Sequence, residues 1–159
     1  MSADPVYEAV MAIWRTGKIK SVLFVGHGPG GALALLDAVS FRLRHGVSSL
    51  QILTATYGAP RVGNPAFIDE ADTWLLNIHR FVNKRDPAPT FPERRHGFQH
   101  PHGEIHIDED GTWYKCNGRE NQDPRCHGGG VEVNDRLEDH VGLYNGISMI
   151  CDPHILKGN

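Results

Sequence analysis

Hydrophobic positions in the chain fall into short periodic runs punctuated by glycine and proline. Val6, Ala9, Val10, Ile13 and Trp14 recur at helical spacing, and Gly17 ends the run. Asp4-Pro5 ahead of them suits an N-cap followed by proline at the first helical position. Residues 21–25, SVLFV, form an apolar run of strand length. Gly26-His27-Gly28-Pro29-Gly30-Gly31 then turns the chain, and a largely apolar helix is expected over 29–44, stopped by Gly46. Residues 50–57, β-branched and aromatic, predict a second strand. Asn64-Pro65 opens a further helix with Phe67, Ala71, Trp74 and Leu75 on one face, and 78–83 reads as a third strand.

The pattern changes after Lys84. Pro87, Pro89 and Pro92 exclude a regular element there. Residues 104–107 and 112–115 predict a hairpin around Asp108-Glu109-Asp110-Gly111, too short of acidic ligands for a calcium loop. Residues 117–136 read as a polar loop, and a last helix is expected over 139–149. Alternating helix and strand predicts an α/β fold: a mostly parallel sheet with helices on both faces and a C-terminal hairpin, in one domain spanning 1–159. Three parallel strands are few for such a sheet. The domain is therefore expected to be truncated at its N-terminal side, with a free edge along 21–25 or 50–57.

Charge and composition narrow the function classes. A net charge of -3, with no basic stripe, argues against a nucleic-acid partner. No apolar run approaches a membrane span, so no transmembrane segment is expected, and Met1-Ser2-Ala3-Asp4-Pro5 lacks signal-peptide character. Cys116 and Cys126 flank a short polar loop, and their spacing leaves open a disulfide or two free thiols. Cys151 is left as the odd cysteine. His96, His100, His102 and His106 crowd one segment, but no separated second ligand pair accompanies them, so no metal site is expected.

Three readings compete at the glycine-rich turn. Gly26, Gly28 and Gly31 fit a dinucleotide-binding fingerprint, yet the next strand ends Tyr57-Gly58-Ala59-Pro60, without the carboxylate that would hold a ribose. The glycines also suit a turn with no chemistry at all. The third reading is a nucleophile elbow, G-x-S-x-G, which needs small residues because the helix backs tightly on the strand. Gly26, Gly30 and Gly31 supply them, and Gly28 stands where the serine would be.

Here the resemblance becomes specific. Residues 26–34, GHGPGGALA, resemble the GHSxGGALA motif of the fungal class 3 lipases, an α/β-hydrolase family of triacylglycerol lipases and feruloyl esterases. Tyr57-Gly58-Ala59-Pro60-Arg61-Val62-Gly63-Asn64 is similar to the family's YGxPRVGN segment. RFVNKRDPAP at 80–89 resembles the strand that ends in the catalytic aspartate. His100-Pro101 and Gly103-Glu104 also resemble the family, as does Asp139-His140 followed by Tyr144, where the catalytic histidine lies. The likeness spans about residues 5 to 151, in order, and corresponds to the family's C-terminal half.

The resemblance implies a partial α/β-hydrolase fold and an ancestral hydrolysis of carboxylic esters or triacylglycerols by a Ser-Asp-His triad. Asp86 matches the acid and His140 the base, in the order elbow, aspartate, histidine. Gly28 departs from the pattern because it has no nucleophilic group. Pro29 departs too, since the residue after the nucleophile lends an amide N–H to the oxyanion hole and proline has none. The chain is thus expected to be catalytically deficient, or a non-catalytic module binding a lipid or ester, with no cofactor. The family and the Cys116–Cys126 pattern imply secretion. The two cysteines are expected to bond, with Cys151 unpaired within the chain.

Overall fold

The computed structural model describes residues 4–127 and 136–149, so Cys151 and the expectation attached to it lie outside the described residues. Helix α1 spans Asp4–Trp14, strand β1 Val22–His27 and helix α2 Pro29–His45. β2 covers Ile52–Tyr57, α3 Pro65–Trp74 and β3 Asn77–Asn83. β4 (Glu104–Ile107) and β5 (Trp113–Cys116) follow, then a short α4 (Leu137–Val141) and a two-strand ribbon, β6 (Leu143–Tyr144) and β7 (Ile147–Ser148).

Local chemistry explains the boundaries. α2 begins at Pro29, whose missing N–H is no loss in a first helical turn. It ends at Gly46, which takes φ 62° and donates its N–H to the Arg42 carbonyl, with Arg42, Arg44 and His45 in the last turn against the negative end of the helix. α3 is capped by Asn64, whose side chain accepts from the Phe67 amide at 2.9 Å. Leu50, read as strand, belongs to a 3-10 turn over Ser49–Gln51 capped by Ser48.

The main sheet has the order β1-β2-β3-β4-β5. β1 to β4 run parallel and β5 returns antiparallel to β4. The predicted hairpin is present, and its first strand also extends the parallel sheet. β1 forms one edge among the described strands. Tyr7 and Met11 of α1, Leu35 and Phe41 of α2 and Leu75 after α3 share one core with Ile52 and Ile78 of the sheet. Leu23 and Val25 of β1 are each 58% exposed.

The expected helix over 139–149 is corrected. Helical structure stops at Val141, and Asn145 (φ 49°) with Gly146 (φ 82°) reverses the chain between β6 and β7. Asn-Gly is the pair that tolerates two successive positive φ angles in a two-residue hairpin turn, and that local signal outweighs the apolar periodicity.

Around β4 and β5, the described residues between β3 and α4 carry dense polar anchoring. Arg61 clasps Glu120 through Nε to Oε1 at 2.7 Å and Nη2 to Oε2 at 2.9 Å, and the His100 amide donates to the same carboxylate. Arg80 bonds Glu104 at 3.1 Å and the Pro101 carbonyl at 3.0 Å, while the His127 amide donates to Glu104. Both ion pairs are buried. Cys116 and Cys126 form a disulfide with Cα atoms 5.9 Å apart, closing a loop of sequence separation 10. Closing a loop of that size contributes about 2.5 kcal/mol by unfolded-state entropy. The clustered histidines are dispersed in their contacts: His100 donates to the Pro89 carbonyl, His102 faces Asp72, and His106 lies between the carbonyls of Arg125 and Lys84.

Burial, then repulsion from Arg80 and Arg61, holds the His100 imidazole well below its ordinary titration range. Burial also lowers His127. Both take up a proton less readily in the fold than in the unfolded chain, which protonates below about pH 6.5. Folded-state values depressed in this way give stability that is present above the unfolded value and lost as pH falls. Urea unfolding should therefore show stability falling from pH 7.5 to pH 5, by up to about 1.4 kcal/mol per pH unit for each histidine. In His100→Gln the slope should drop by one histidine's share, and an unchanged slope would contradict this assignment.

Candidate active site

The parallel strands end at one edge, where the crevice of an open α/β sheet ordinarily binds ligands. β1 delivers His27 and Gly28 there, β2 delivers Gly58, and the turn after β3 delivers Asp86. The strand-to-helix turn is tight. A Cβ on Gly26 would lie 2.1 Å from the Gly30 carbonyl oxygen, so no larger residue fits. Gly28 takes φ 53° and ψ -127°, a conformation that strains any residue with a side chain. Its amide donates to the Tyr57 carbonyl at 2.8 Å, and its carbonyl accepts from Gly31 at 2.9 Å and Ala32 at 3.2 Å. Pro29 follows as the first residue of α2.

A Cβ built on Gly28 would point at the His140 imidazole, 3.0 Å from Nε2 and 3.2 Å from Cε1. His140 stands on α4. Its Nδ1 lies 2.9 and 3.0 Å from the two oxygens of Asp86. The structure thus brings Gly28, His140 and Asp86 into one line, while the Cys116–Cys126 disulfide tethers the loop behind β5.

Asp86 is fully buried, and its carboxylate is not left bare. It accepts from His140 Nδ1, from the Ala88 amide at 2.8 Å and from the Tyr144 hydroxyl at 2.6 Å. Burial and the adjacent carboxylate push the Tyr144 phenol far above its usual range, so it acts here as a hydrogen-bond donor only. A proton must sit on His140 Nδ1 to bond a carboxylate, which leaves the Nε2 lone pair of the neutral ring facing Gly28.

Further residues hold this arrangement. Asn83 Nδ2 donates to the Asp139 carbonyl at 2.9 Å, tying α4 to the end of β3. Arg136 Nε bonds the Asp139 carboxylate at 2.9 Å. His27 donates from Nε2 to the His140 carbonyl at 2.8 Å, and the two imidazoles stack with centroids 4.4 Å apart. Sequence reasoning gave Tyr144 only as part of a motif and assigned nothing to His27, Asn83 or Gly58. The single usable signal was their place within the matching segments. Gly58, at φ 55°, is also tightly enclosed: a Cβ there would lie 2.2 Å from Asp86 Oδ2 and 2.6 Å from the Tyr144 hydroxyl. Among the described residues, the one cluster with metal-ligand spacing is Glu104, Cys116 and Cys126, and its sulfurs are bonded to each other.

With this geometry in view, the comparisons are specific. A family model described as Lipase (class 3) matches residues 3–96. A secreted mono- and diacylglycerol lipase of Malassezia restricta is 33% identical over 157 residues, covering 94% of this chain and 49% of the relative. Another, from Malassezia globosa, is 31% identical over 145 residues, covering 89% of this chain and 46% of the relative. The solved Rhizomucor miehei lipase propeptide complex superimposes with a TM-score of 0.82 at 30% identity, over 93% of this chain and 48% of that one. The chain spans about half the length of the curated relatives it matches.

Replacing Gly58 by alanine should disrupt the acid directly. Backbone strain and the forced displacement of Asp86 together predict a loss of about 2–6 kcal/mol in urea unfolding. In any folded population, the downfield proton resonance of His140 Nδ1–H should disappear. Retention of both stability and that resonance would show that Asp86 is not pinned by Gly58.

Proposed function

We propose a function from one premise, that the chain belongs to the class 3 lipase family: it is a lipase-type domain whose ancestral reaction is carboxylic ester or triacylglycerol hydrolysis, and which is itself catalytically deficient. The reading assigns Asp86 as the acid and His140 as the base of a Ser-Asp-His triad, with Gly28 at the nucleophile position and Pro29 at the oxyanion position. The observation that carries it is Gly28 in an elbow conformation, aimed at a correctly oriented His140 and bearing no hydroxyl. The base has its tautomer and its orienting acid, but nothing on the chain at that point can form an acyl-enzyme.

Magnitudes support deficiency over mere slowing. Loss of a triad nucleophile costs on the order of 10⁶ in kcat, and one oxyanion donor is worth about 10²–10³. The substrate class proposed is a neutral glyceride or related ester, because the relatives are named mono- and diacylglycerol lipases. Secretion is proposed on the same ground and agrees with the disulfide. The outer edge of β1 is the place where further strands of a full lipase sheet would pair.

A second reading, a module that binds a lipid or ester without turning it over, is favoured by one feature. An apolar cavity of about 220 Å³, lined by Tyr57, Ile107, Trp113, Tyr144 and Ile147, adjoins the ring whose hydroxyl bonds Asp86.

The test is hydrolysis of p-nitrophenyl butyrate by the chain, by Gly28→Ser and by Gly28→Ser with Pro29→Leu. The unmodified chain should show no burst and no turnover at the lipase level. Gly28→Ser should remain weak, because serine is strained at φ 53° by about 1–3 kcal/mol and Pro29 still offers no amide. The double variant should exceed the single one by about 10²–10³. Lipase-level turnover by the unmodified chain would overturn the deficiency, and by Gly28→Ser alone would show the oxyanion hole to be elsewhere.

A further inference from the structure

Burial alternates along the central strands. Ile52, Thr54 and Thr56 of β2 and Ile78, Arg80 and Val82 of β3 are buried, and the residues between them point to the other face of the sheet. There Tyr57, Phe81, Ile105 and Lys115 stand side by side on four successive strands, and Trp113 pairs with Ile107 in the adjoining row. Tyr57, Phe81 and Ile105 are half-buried, Lys115 is exposed, and Trp113 is 46% exposed.

We propose that this face binds one molecule of a medium-chain carboxylate, its head at His79 and Lys115 and its chain laid over Phe81 and Trp113 toward Tyr144. The inference rests on the second reading above, a module that binds a lipid or ester, and names the ligand class.

The shape of the face suits a single chain. A hollow of about 410 Å³ lies at the end of the strands away from Gly28, with His79, Ile105, Lys115 and Asn117 in its wall. The apolar cavity of about 220 Å³ at Tyr57, Trp113 and Tyr144 lies toward the other end. Phe81 stands between them. Its ring centroid is 6.5 Å from that of His79, 4.8 Å from Tyr57 and 5.7 Å from Trp113, which meets it edge-on. Aromatic surface therefore runs from one hollow to the other. Since Arg80 pairs with Glu104, His79 lies level with Gly103, four residues before Ile107. That is about 13 Å of strand. An extended alkyl chain advances about 1.3 Å per carbon, so about ten carbons span it.

Charge gives the direction. Among the described residues neither Lys115 nor His79 has an ion-pair partner. Nearby carboxylates are already engaged, Glu104 by Arg80 and the His127 amide, and Asp72 by Arg119 and His102. An anionic head thus meets donors with no competing counter-ion. Among the described residues no charged side chain lines the 220 Å³ cavity, which suits the tail.

The experiment is calorimetric titration of the full chain with decanoate, below its micelle concentration, and with 1-decanol, beside light scattering and the Ile105 methyl resonances. Decanoate should bind saturably, one molecule per chain, about fivefold tighter than decanol, and shift those resonances. Lys115→Glu should weaken decanoate by about fivefold and leave decanol unchanged. Trp113→Ala should weaken both by about tenfold. Should Trp113→Ala fail to fold, Lys115→Glu decides, because that side chain is exposed. Equal binding of the two ligands, untouched by Lys115→Glu, would overturn the carboxylate assignment and leave lipid binding standing. Binding of neither would overturn both. A dimeric chain insensitive to decanoate would place a second copy on this face and overturn the proposal.

Discussion

A buried carboxylate is the constraint around which the functional edge is built. Asp86 is fully withdrawn from water, and an uncompensated charge there would be prohibitive. It is tolerated because three donors converge on it: a histidine ring, a tyrosine hydroxyl and a backbone amide. Each donor fixes a different part of the chain. His140 fixes α4, Tyr144 fixes the terminal ribbon, and Ala88 fixes the proline-rich turn after β3. Gly58 is glycine because a side chain would occupy the place where that carboxylate and its partners meet. The orientation of the His140 ring toward the elbow is a consequence of satisfying Asp86.

The elbow obeys a steric constraint of its own. β1 and α2 pass so closely that Gly26 would drive a Cβ into the Gly30 carbonyl. That approach forces an abrupt turn, and position 28 takes a conformation that costs a side-chain-bearing residue about 1–3 kcal/mol. In a hydrolase that strain presents a nucleophile. With glycine in place the geometry persists and the strain is relieved, so the same packing that serves catalysis is here compatible with a chain lacking the reactive group. Proline at position 29 suits the first turn of α2, where its missing N–H is no loss.

The described part of the segment after β3 is anchored by buried charges. Glu120 and Glu104 each take a buried arginine and a backbone amide, so the loop is held by charge-assisted bonds that water does not screen. Burial pushes the Glu120 carboxyl up, but the Arg61 bonds and the His100 amide outweigh it and hold it below its ordinary range. The disulfide limits the same segment in the unfolded state. Removing one partner of either ion pair would leave its buried counterpart uncompensated, which is why this polar network belongs with the fold as much as with the surface.

What the sequence determined was what local chemistry can encode. Period and punctuation placed α1, α2, α3 and the first three strands to within a few residues, because helix caps such as Asn64 and stops such as Gly46 act over one turn. The ordered motifs picked out Gly28, Asp86 and His140 although 54 residues separate the last two. Where the apolar pattern and a turn signal disagreed, at Asn145-Gly146, the pattern misled, since two positive φ angles are a backbone demand that periodicity does not report. Only the tertiary structure decided that β4 joins β3 in the parallel sheet, that Arg61 and Arg80 are buried on Glu120 and Glu104, and that Tyr144 bonds Asp86, His27 the His140 carbonyl and Asn83 the Asp139 carbonyl. Those pairings join residues from 24 to 113 positions apart. No local propensity favours them. They arise because each buried polar group, once the sheet has closed around it, must find its partner wherever the chain has brought one within reach.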